Sequence, residues 1–263
     1  MKKDINLRTT FNNEAELYRV IRPRYPEELF VALVKNAQLQ SDAKLLEIGP
    51  GTGQATEPLA RRGYDITAIE LGADLAEVAQ KVLARYANVK IITGAFEDVE
   101  LQLESFDLVY AATAFHWIKP EVKFFKPHKL LKKGGHLAII GTNHVSDEKG
   151  DEFFFASQPI YKKYKPGGKH DDNFRLKRAD ELKADEVDEN LFAPVFFHAF
   201  PLVVPFSAKE YAQLLNTYSP TISMEPDQRA GFLEEIEKLI EEKFVGSIQK
   251  HFAMTLTMAK KKS

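Results

Sequence analysis

The sequence has no cysteine among its 263 residues. This absence excludes disulfide bonds, thiolate metal sites and cysteine nucleophiles. It also lacks any run near the ~18 consecutive apolar residues of a membrane span, and no apolar segment follows the N-terminal lysines as in a signal peptide. Neither sign of charge dominates, since the net charge is −2, and no strong field favours nucleic acid. We therefore expect a cytoplasmic protein that binds neither membrane nor nucleic acid.

Short apolar runs alternate with helical patterns in the first half of the chain. These runs cover 44–49, 65–70, 89–93, 106–111 and 136–141. Such alternation is typical of βαβ units on a parallel sheet. A helical stripe begins near Ala73, and a second helix is predicted from Pro120 to Gly135 with a kink at Pro127. Alternation in "FAMTLTMA" (252–259) adds a late strand.

These patterns predict an α/β fold with a Rossmann-like doubly wound sheet. The sheet is expected to be mostly parallel, with a C-terminal antiparallel strand and an inserted cap. The local amino-acid composition changes near residue 143, where aromatic and turn-forming residues precede a charged segment. We therefore assign 1–142 and 194–263 to the core and 143–193 to the inserted substrate cap.

The first predicted strand ends in a glycine-rich turn. Its pattern is Glu47-x-Gly49-x-Gly51-x-Gly53. Glycine allows a ligand to approach the backbone closely. The spacing is neither the dinucleotide fingerprint nor a P-loop, because Gln54 and Thr56 stand where a third glycine would be needed and no Gly-Lys-Ser/Thr follows. The alternative is a turn that serves packing alone.

Acidic and aromatic residues follow the next two strands. Glu70 ends the second strand at the same edge as the glycine turn, where its carboxylate can accept from ribose hydroxyls. Enzymes that bind NAD use the same contact, and an exposed strand end is a further alternative. Phe96 follows the third strand and is a candidate to flank an adenine ring, with Glu97 or Asp98 accepting from the adenine amino group.

Residues 40–145 together resemble the class I S-adenosylmethionine-dependent methyltransferases, in particular their type 11 domain. The resemblance implies S-adenosylmethionine as the cofactor. It also implies a set of cofactor-binding residues: Glu47, Gly49, Gly51, Gly53, Glu70, Leu71, Phe96, Glu97 and Ala111. Many members of the family have Gly-Asp-Ala where this chain has Gly94-Ala95-Phe96, so the usual adenine-binding aspartate is absent, and Glu97 is our substitute.

The segment "TAFHWI" follows the fourth strand and contains the catalytic candidate His116. A neutral imidazole at this edge can take a proton from an acceptor or orient it. The alternative is that His116 bonds only to the backbone and that Trp117 packs under the next helix. Methyl transfer depends mainly on alignment and exclusion of water, so a dedicated base is not required.

The N-terminal segment "ELYRVIRPRYPEEL" is rich in arginine and tyrosine. It resembles the N-terminal lid of the trans-aconitate methyltransferase-like branch, which implies that residues 1–40 fold over the cofactor. An arginine there can hold a carboxylate bidentately; exposed arginines are the alternative. "LLNTYSP" (214–220) also resembles this branch. The substrate-binding candidates are Tyr18, Arg22, Tyr25, Trp117 and Tyr218.

The leading hypothesis is methyl transfer from S-adenosylmethionine to a small molecule, such as a carboxylate or other anionic metabolite. Two alternatives remain open: a nucleotide-dependent oxidoreductase on a similar fold, and a non-catalytic protein that binds the cofactor. The seven histidines form no metal-ligand spacing, so no metal is expected. We expect a small-molecule substrate and a monomer or homodimer.

Overall fold

The computed structural model describes residues 15–147, 151–168, 170–171 and 173–263. Its seven strands are β1 Lys44–Ile48, β2 Asp65–Glu70, β3 Val89–Thr93, β4 Phe106–Ala112, β5 Leu131–His144, β6 Phe192–Ser207 and β7 Ser247–Lys261. The first four are short, as expected for strands in βαβ units. The predicted strand positions are therefore confirmed, although β5 is longer than its apolar run.

Ten α-helices occur within the described residues. They are α1 Ala15–Ile21, α2 Glu27–Asn36, α3 Thr56–Ala60, α4 Ala73–Leu83, α5 Pro120–Lys123, α6 Phe125–Leu130, α7 Glu152–Tyr164, α8 Ala208–Asn216, α9 Ser219–Ile222 and α10 Pro226–Lys243. A 3₁₀ turn, Phe115–Trp117, follows β4. The predicted helix start at Ala73 is confirmed. In the part of the chain that the structure describes, no helix is both long and apolar enough to cross a membrane.

The strands form one sheet in the order β3-β2-β1-β4-β5-β7-β6. The pairs β1–β2, β1–β4, β2–β3 and β4–β5 are all parallel. The chain order reverses beside β1, which creates the switch point where doubly wound sheets bind ligands. The predicted α/β fold with a mostly parallel Rossmann-like sheet is confirmed.

The C-terminal strand β7 is antiparallel to both of its neighbours. Opposite β5, the backbone N–H of Val145 donates to the carbonyl of His251 (3.1 Å), and the Asn143 amide donates to the Thr255 hydroxyl (3.3 Å). Later residues of β5 thus meet earlier residues of β7. The same antiparallel relation holds between β7 and β6. The backbone N–H of Lys262, just after β7, donates to the carbonyl of Leu191, just before β6, and the N–H of Ala208, just after β6, donates to the carbonyl of Gly246, just before β7. The predicted C-terminal antiparallel strand is confirmed.

The prediction of a helix from Pro120 to Gly135 is wrong for its last five residues. The helical segment ends at Leu130, and β5 begins at Leu131. Leu131 pairs with Phe106, but the next paired residue of β5 is His136, opposite Leu108, so the register shifts there. Gly134 has φ +79° within this bulge. The two glycines therefore allow an irregular strand rather than ending a helix.

The chain divides into two compact units. Unit 1 comprises 1–23, 144–181 and 201–253, and unit 2 comprises 24–143, 182–200 and 254–263. The predicted core and cap have other boundaries, and that division stays a prediction. Residues 1–14 of the predicted lid, and 148–150, 169 and 172 of the predicted cap, lie outside the described residues.

Each unit has its own apolar core. In unit 2, fully buried residues of the parallel strands, such as Leu46, Val109 and Leu137, pack with Phe192. In unit 1, the helices α8 and α10 contribute Leu214, Phe232 and Ile236 to a second cluster. Helix α8 begins at a capping box, in which the Ser207 hydroxyl accepts from the Glu210 backbone N–H. The Ser-x-x-Glu spacing is the sequence signature of such a cap.

Candidate functional site

The glycine turn after β1 is tightly bonded to β2. The backbone N–H of Gly49 donates to the Ile69 carbonyl (2.9 Å), and that of Gly53 donates to the Pro50 carbonyl (2.9 Å). The N–H of Gly51 donates to Oε2 of Glu70 (2.8 Å). All three glycine N–H groups therefore have partners within the protein. The turn offers a ligand a bare backbone surface rather than glycine N–H donors.

The three glycines have different surroundings. All have positive φ: +68° at Gly49, +58° at Gly51 and +87° at Gly53. A Cβ at Gly49 would lie 2.6 Å from Cβ of Ala114, and one at Gly53 would lie 2.9 Å from Cδ1 of Leu83. A Cβ at Gly51 would meet no atom within 4 Å. Gly51 thus borders open space, while the other two allow close packing.

Glu70 occupies the position predicted for it at the end of β2. Its Oε2 accepts from Gly51, and its Oε1 accepts from the backbone N–H of Gly72 at 2.9 Å. The residue is 6% exposed, and Leu71 beside it is half-buried. The carboxylate is therefore fixed in place at the edge of the sheet where doubly wound folds bind ligands.

A second carboxylate, Glu47, lies fully buried beneath the turn. Its Oε2 accepts hydrogen bonds from the hydroxyls of Thr56 (2.6 Å) and Tyr110 (2.7 Å). Its Oε1 is buried without a hydrogen-bond partner among the described residues, as is the hydroxyl of Thr52. Burial raises the pKa of Glu47 to about 7 against the effect of its two hydrogen bonds. Sequence reasoning missed Thr52, which has no signal beyond its place between two glycines.

The residues predicted to contact adenine lie after β3. Phe96 is 3% exposed and belongs to the apolar core of unit 2. The Lys126 ammonium lies 4.9 Å from its ring centroid and donates to its backbone carbonyl. The Glu97 carboxylate accepts from the backbone N–H of Lys119 (3.2 Å). Ala111 is fully buried in β4. The contacts with the cofactor that were assigned to these residues, to adenine for Phe96 and Glu97, stay predictions.

The carboxyl end of β4 contains a strained residue. Thr113 has φ +56°, an unusual value for a β-branched side chain. Its hydroxyl lies within hydrogen-bond distance of the hydroxyls of Tyr25 (3.0 Å) and Thr142 (3.2 Å), and its N–H donates to the Ile140 carbonyl. These bonds hold the strained backbone, and such strain is common at functional sites. Nothing in the sequence indicated Thr113.

His116 and Trp117 lie in the 3₁₀ turn beyond this residue. Their ring centroids are 4.8 Å apart. Part of the His116 side chain is exposed to solvent. Partial burial of the ring nevertheless lowers its pKa, Lys123 lowers the pKa further, and Asp185 opposes the shift. The imidazole is therefore neutral near pH 7, the form that accepts a proton. Asp185 also borders a cavity of roughly 870 Å³ lined by the loop 184–189, the first part of β6 and Thr257.

Unit 1 brings together Tyr18, Arg22 and Tyr218. The Arg22 guanidinium carbon lies 4.7 Å from the Tyr18 ring centroid and 4.2 Å from that of Tyr218. Arg22 also donates from Nε to the Thr217 hydroxyl (2.9 Å) and from a terminal nitrogen to the Thr217 carbonyl (2.8 Å). A guanidinium has five N–H donors, so three are not used in these bonds. The side chain is therefore held in position, and no residue in the described part of the chain forms an ion pair with it.

Tyr218 joins this group to His144. Its hydroxyl lies 3.0 Å from Nε2 of His144. Burial raises the pKa of Tyr218 to about 12, although Arg22 favours its ionised form. Burial lowers the pKa of His144 to about 3, and the cations Lys250 and Arg22 lower it further. Both groups are therefore neutral near pH 7. Sequence reasoning missed His144, which carried no motif.

Comparison with known proteins gives a consistent picture. A family model described as a methyltransferase domain matches residues 46–139. An uncharacterized methyltransferase of Staphylococcus carnosus is 31% identical over 157 residues, which cover 58% of this chain and 71% of that protein. One of Mycobacterium tuberculosis is 28% identical over 139 residues, 53% of this chain and 54% of its own length. The chain thus spans about half the length of the mycobacterial relatives.

Solved structures share the fold at lower identity. A protein of Anaeromyxobacter dehalogenans, proposed to be a type II methyltransferase, superposes with TM-score 0.64 at 19% identity, covering 91% of this chain and 97% of the other. Phosphoethanolamine N-methyltransferase 2 of Haemonchus contortus gives 0.51 at 14% identity, over 96% and 58%. At these identities the likeness concerns the fold alone.

Proposed function

Because the chain belongs to the class I S-adenosylmethionine-dependent methyltransferases, we propose that it transfers the methyl group of this cofactor to a small, anionic acceptor. The cofactor supplies the reaction with a methyl group already activated on a sulfonium. What the protein must add is binding, alignment and exclusion of water. Neither the oxidoreductase nor the non-catalytic alternative finds support in the relatives.

The main observation that supports a cofactor site is the open surface at Gly51. It adjoins the carboxylate of Glu70, which accepts a hydrogen bond from the Gly51 N–H. A carboxylate at the end of the second strand suits a cofactor with ribose hydroxyls. We assign the ribose to Glu70, the amino acid portion to the surface of Gly49 and Gly51, and the adenine to the segment after β3.

The remaining predicted residues have acceptor-side roles in this proposal. His116 is the candidate base, since its imidazole is neutral near pH 7. Arg22 is the candidate recognition group for the acceptor's negative charge, with the rings of Tyr18 and Tyr218 packed against its guanidinium. Tyr25 positions the end of β4 through Thr113. Trp117 provides an aromatic face beside His116.

Calorimetric titration with S-adenosylhomocysteine tests the cofactor site. We expect saturable binding to the parent protein and at least a tenfold weaker affinity in Glu70→Ala. Glu77→Ala is the matched control, since that carboxylate lies exposed on α4 and pairs with Lys81. Absence of binding to the parent would overturn the proposal. Once an acid that the parent methylates is found, His116→Ala and Arg22→Gln should each lower the rate at which S-adenosylhomocysteine forms. Unchanged rates would exclude the roles assigned to these two residues.

A further inference from the structure

Lys250 is a lysine in the core of unit 1. It lies on β7 between Ile248 and Phe252, and the alternation of the strand points all three side chains to the same face. Ile248 and Phe252 are buried there, and Lys250 is only 7% exposed. A lysine is almost never this deeply buried without a partner for its charge. The position therefore calls for an explanation that packing does not provide.

The surroundings of Lys250 are aromatic. Its ammonium lies 5.5 Å from the ring centroid of Phe153 and 5.9 Å from that of Tyr211. Within the described residues it has no ion pair and no hydrogen bond to a side chain or carbonyl, and its nearest acidic influences, Asp151 and Asp147, act without forming an ion pair with it. Two ring faces offset only part of the cost of removing an ammonium from water.

Arg22 is a second cation in the same aromatic core. The connection runs through contacts within unit 1: Arg22 stacks on Tyr218, whose hydroxyl bonds to His144, and the His144 ring lies 4.7 Å from that of Phe252. Phe252 is two residues from Lys250 on the same strand face. Both cations also act on the His144 imidazole. Among the described residues neither has a carboxylate partner.

We propose that this part of unit 1 is a binding site for a ligand with two carboxylates, one held by the unused N–H donors of Arg22 and the other by the ammonium of Lys250. A carboxylate at each cation supplies the missing counter-charge and hydrogen-bond acceptors. His144, on which both cations act, and Tyr218, which bonds to it, are neutral polar groups of the same site. The assignment of this ligand as the methyl acceptor rests on the proposed function, but its binding does not.

Titration calorimetry without cofactor tests the site, with succinate and citrate as probes and succinamide as the uncharged analogue. We expect saturable binding of at least one acid to the parent, with succinamide at least tenfold weaker. Lys250→Met and Arg22→Gln should each weaken the acid at least tenfold. Lys238→Met is the matched control and should bind like the parent, since Lys238 is exposed on α10 and pairs with Glu242.

Two further measurements keep the outcomes separate. Lys250→Arg retains the positive charge and should keep more affinity than Lys250→Met, which guards against a variant that fails to fold. S-adenosylhomocysteine binding, measured on the same samples, reports the cofactor site independently. If that ligand binds and neither acid does, or if the acids bind Lys250→Met as tightly as the parent, the dicarboxylate site is refuted while the proposed function stands.

Discussion

Alanine substitutions in the glycine turn can distinguish the effect of an added methyl group on folding stability from its effect on ligand binding. Gly51 and Gly63 both have positive φ, +58° and +91°, and a Cβ at either would meet no atom within 4 Å. A side chain in this backbone region costs about 1–2 kcal/mol. Gly51→Ala and Gly63→Ala should therefore lower the free energy of unfolding by similar amounts, measured by urea denaturation.

Their effects on cofactor binding should differ. A methyl at Gly51 occupies the open surface assigned to the cofactor, so we expect at least tenfold weaker binding of S-adenosylhomocysteine, or about 1.4 kcal/mol. Gly63 precedes the amino end of β2, at the opposite edge of the sheet from the turn. Gly63→Ala should therefore bind the ligand like the parent, and calorimetry on the two variants makes the comparison.

Gly49→Ala provides the third measurement. Its Cβ would lie 2.6 Å from Cβ of Ala114, so overpacking should add about 1–3 kcal/mol to the backbone cost. The expected order of stability is thus Gly51→Ala above Gly49→Ala. Parental affinity in Gly51→Ala would refute the placement of the cofactor on this surface. An equal loss of affinity in Gly63→Ala would show that destabilisation, not contact, causes the effect.

Three further predictions concern buried or capping groups. The pKa of Glu47 is raised from 4.5 to about 7, so its protonation favours the folded state: the parent should lose up to about 3 kcal/mol of stability relative to Glu47→Gln as pH rises from 4.5 to 7, measured by denaturant unfolding at each pH. A parallel pair of pH curves would contradict this. Tyr25→Phe should cost about 0.5–1.5 kcal/mol by removing the bond to Thr113, and a Thr113→Gly background, which removes both the bond and the strain, should abolish that cost. Ser207→Ala should cost about 1 kcal/mol by breaking the capping box of α8, with S-adenosylhomocysteine affinity unchanged in calorimetry; a changed affinity would show that the cap does more than hold its helix.

The parallel half of the fold could be predicted because each of its elements has a local signal. Apolar runs of five or six residues identify strands that helices cover on both faces, and the Ser207 to Glu210 spacing identifies a helix start. The glycine spacing also placed the turn correctly after β1. Its hydrogen bonds could not be predicted, because the partners of Gly49 and Gly51 are on β2 and depend on how the strands pair.

The boundary between α6 and β5 shows where local signals mislead. Paired glycines after an apolar helix usually indicate its end, but here Gly134 lies in a bulge whose existence depends on the pairing of Leu131 with Phe106. The strain at Thr113 likewise results from tertiary hydrogen bonds and has no sequence signal. Lys250 is different, because its place in the alternating pattern with Ile248 and Phe252 can be seen in the sequence. The pattern predicts a buried side chain there, whereas the lysine itself favours an exposed one, and the sequence alone does not decide between them.

The incompletely paired charged groups of the two units have opposite signs, which is the pattern expected of a protein that binds two oppositely charged ligands. In unit 2, Oε1 of Glu47 is buried without a hydrogen-bond partner among the described residues. In unit 1, Lys250 is 7% exposed and has no ion pair within the described residues, and Arg22 uses two of its five N–H donors in the bonds to Thr217. A fold that binds nothing gains no stability from either arrangement, because desolvated charged or polar groups without full compensation are costly. The cationic cofactor and an anionic acceptor account for both.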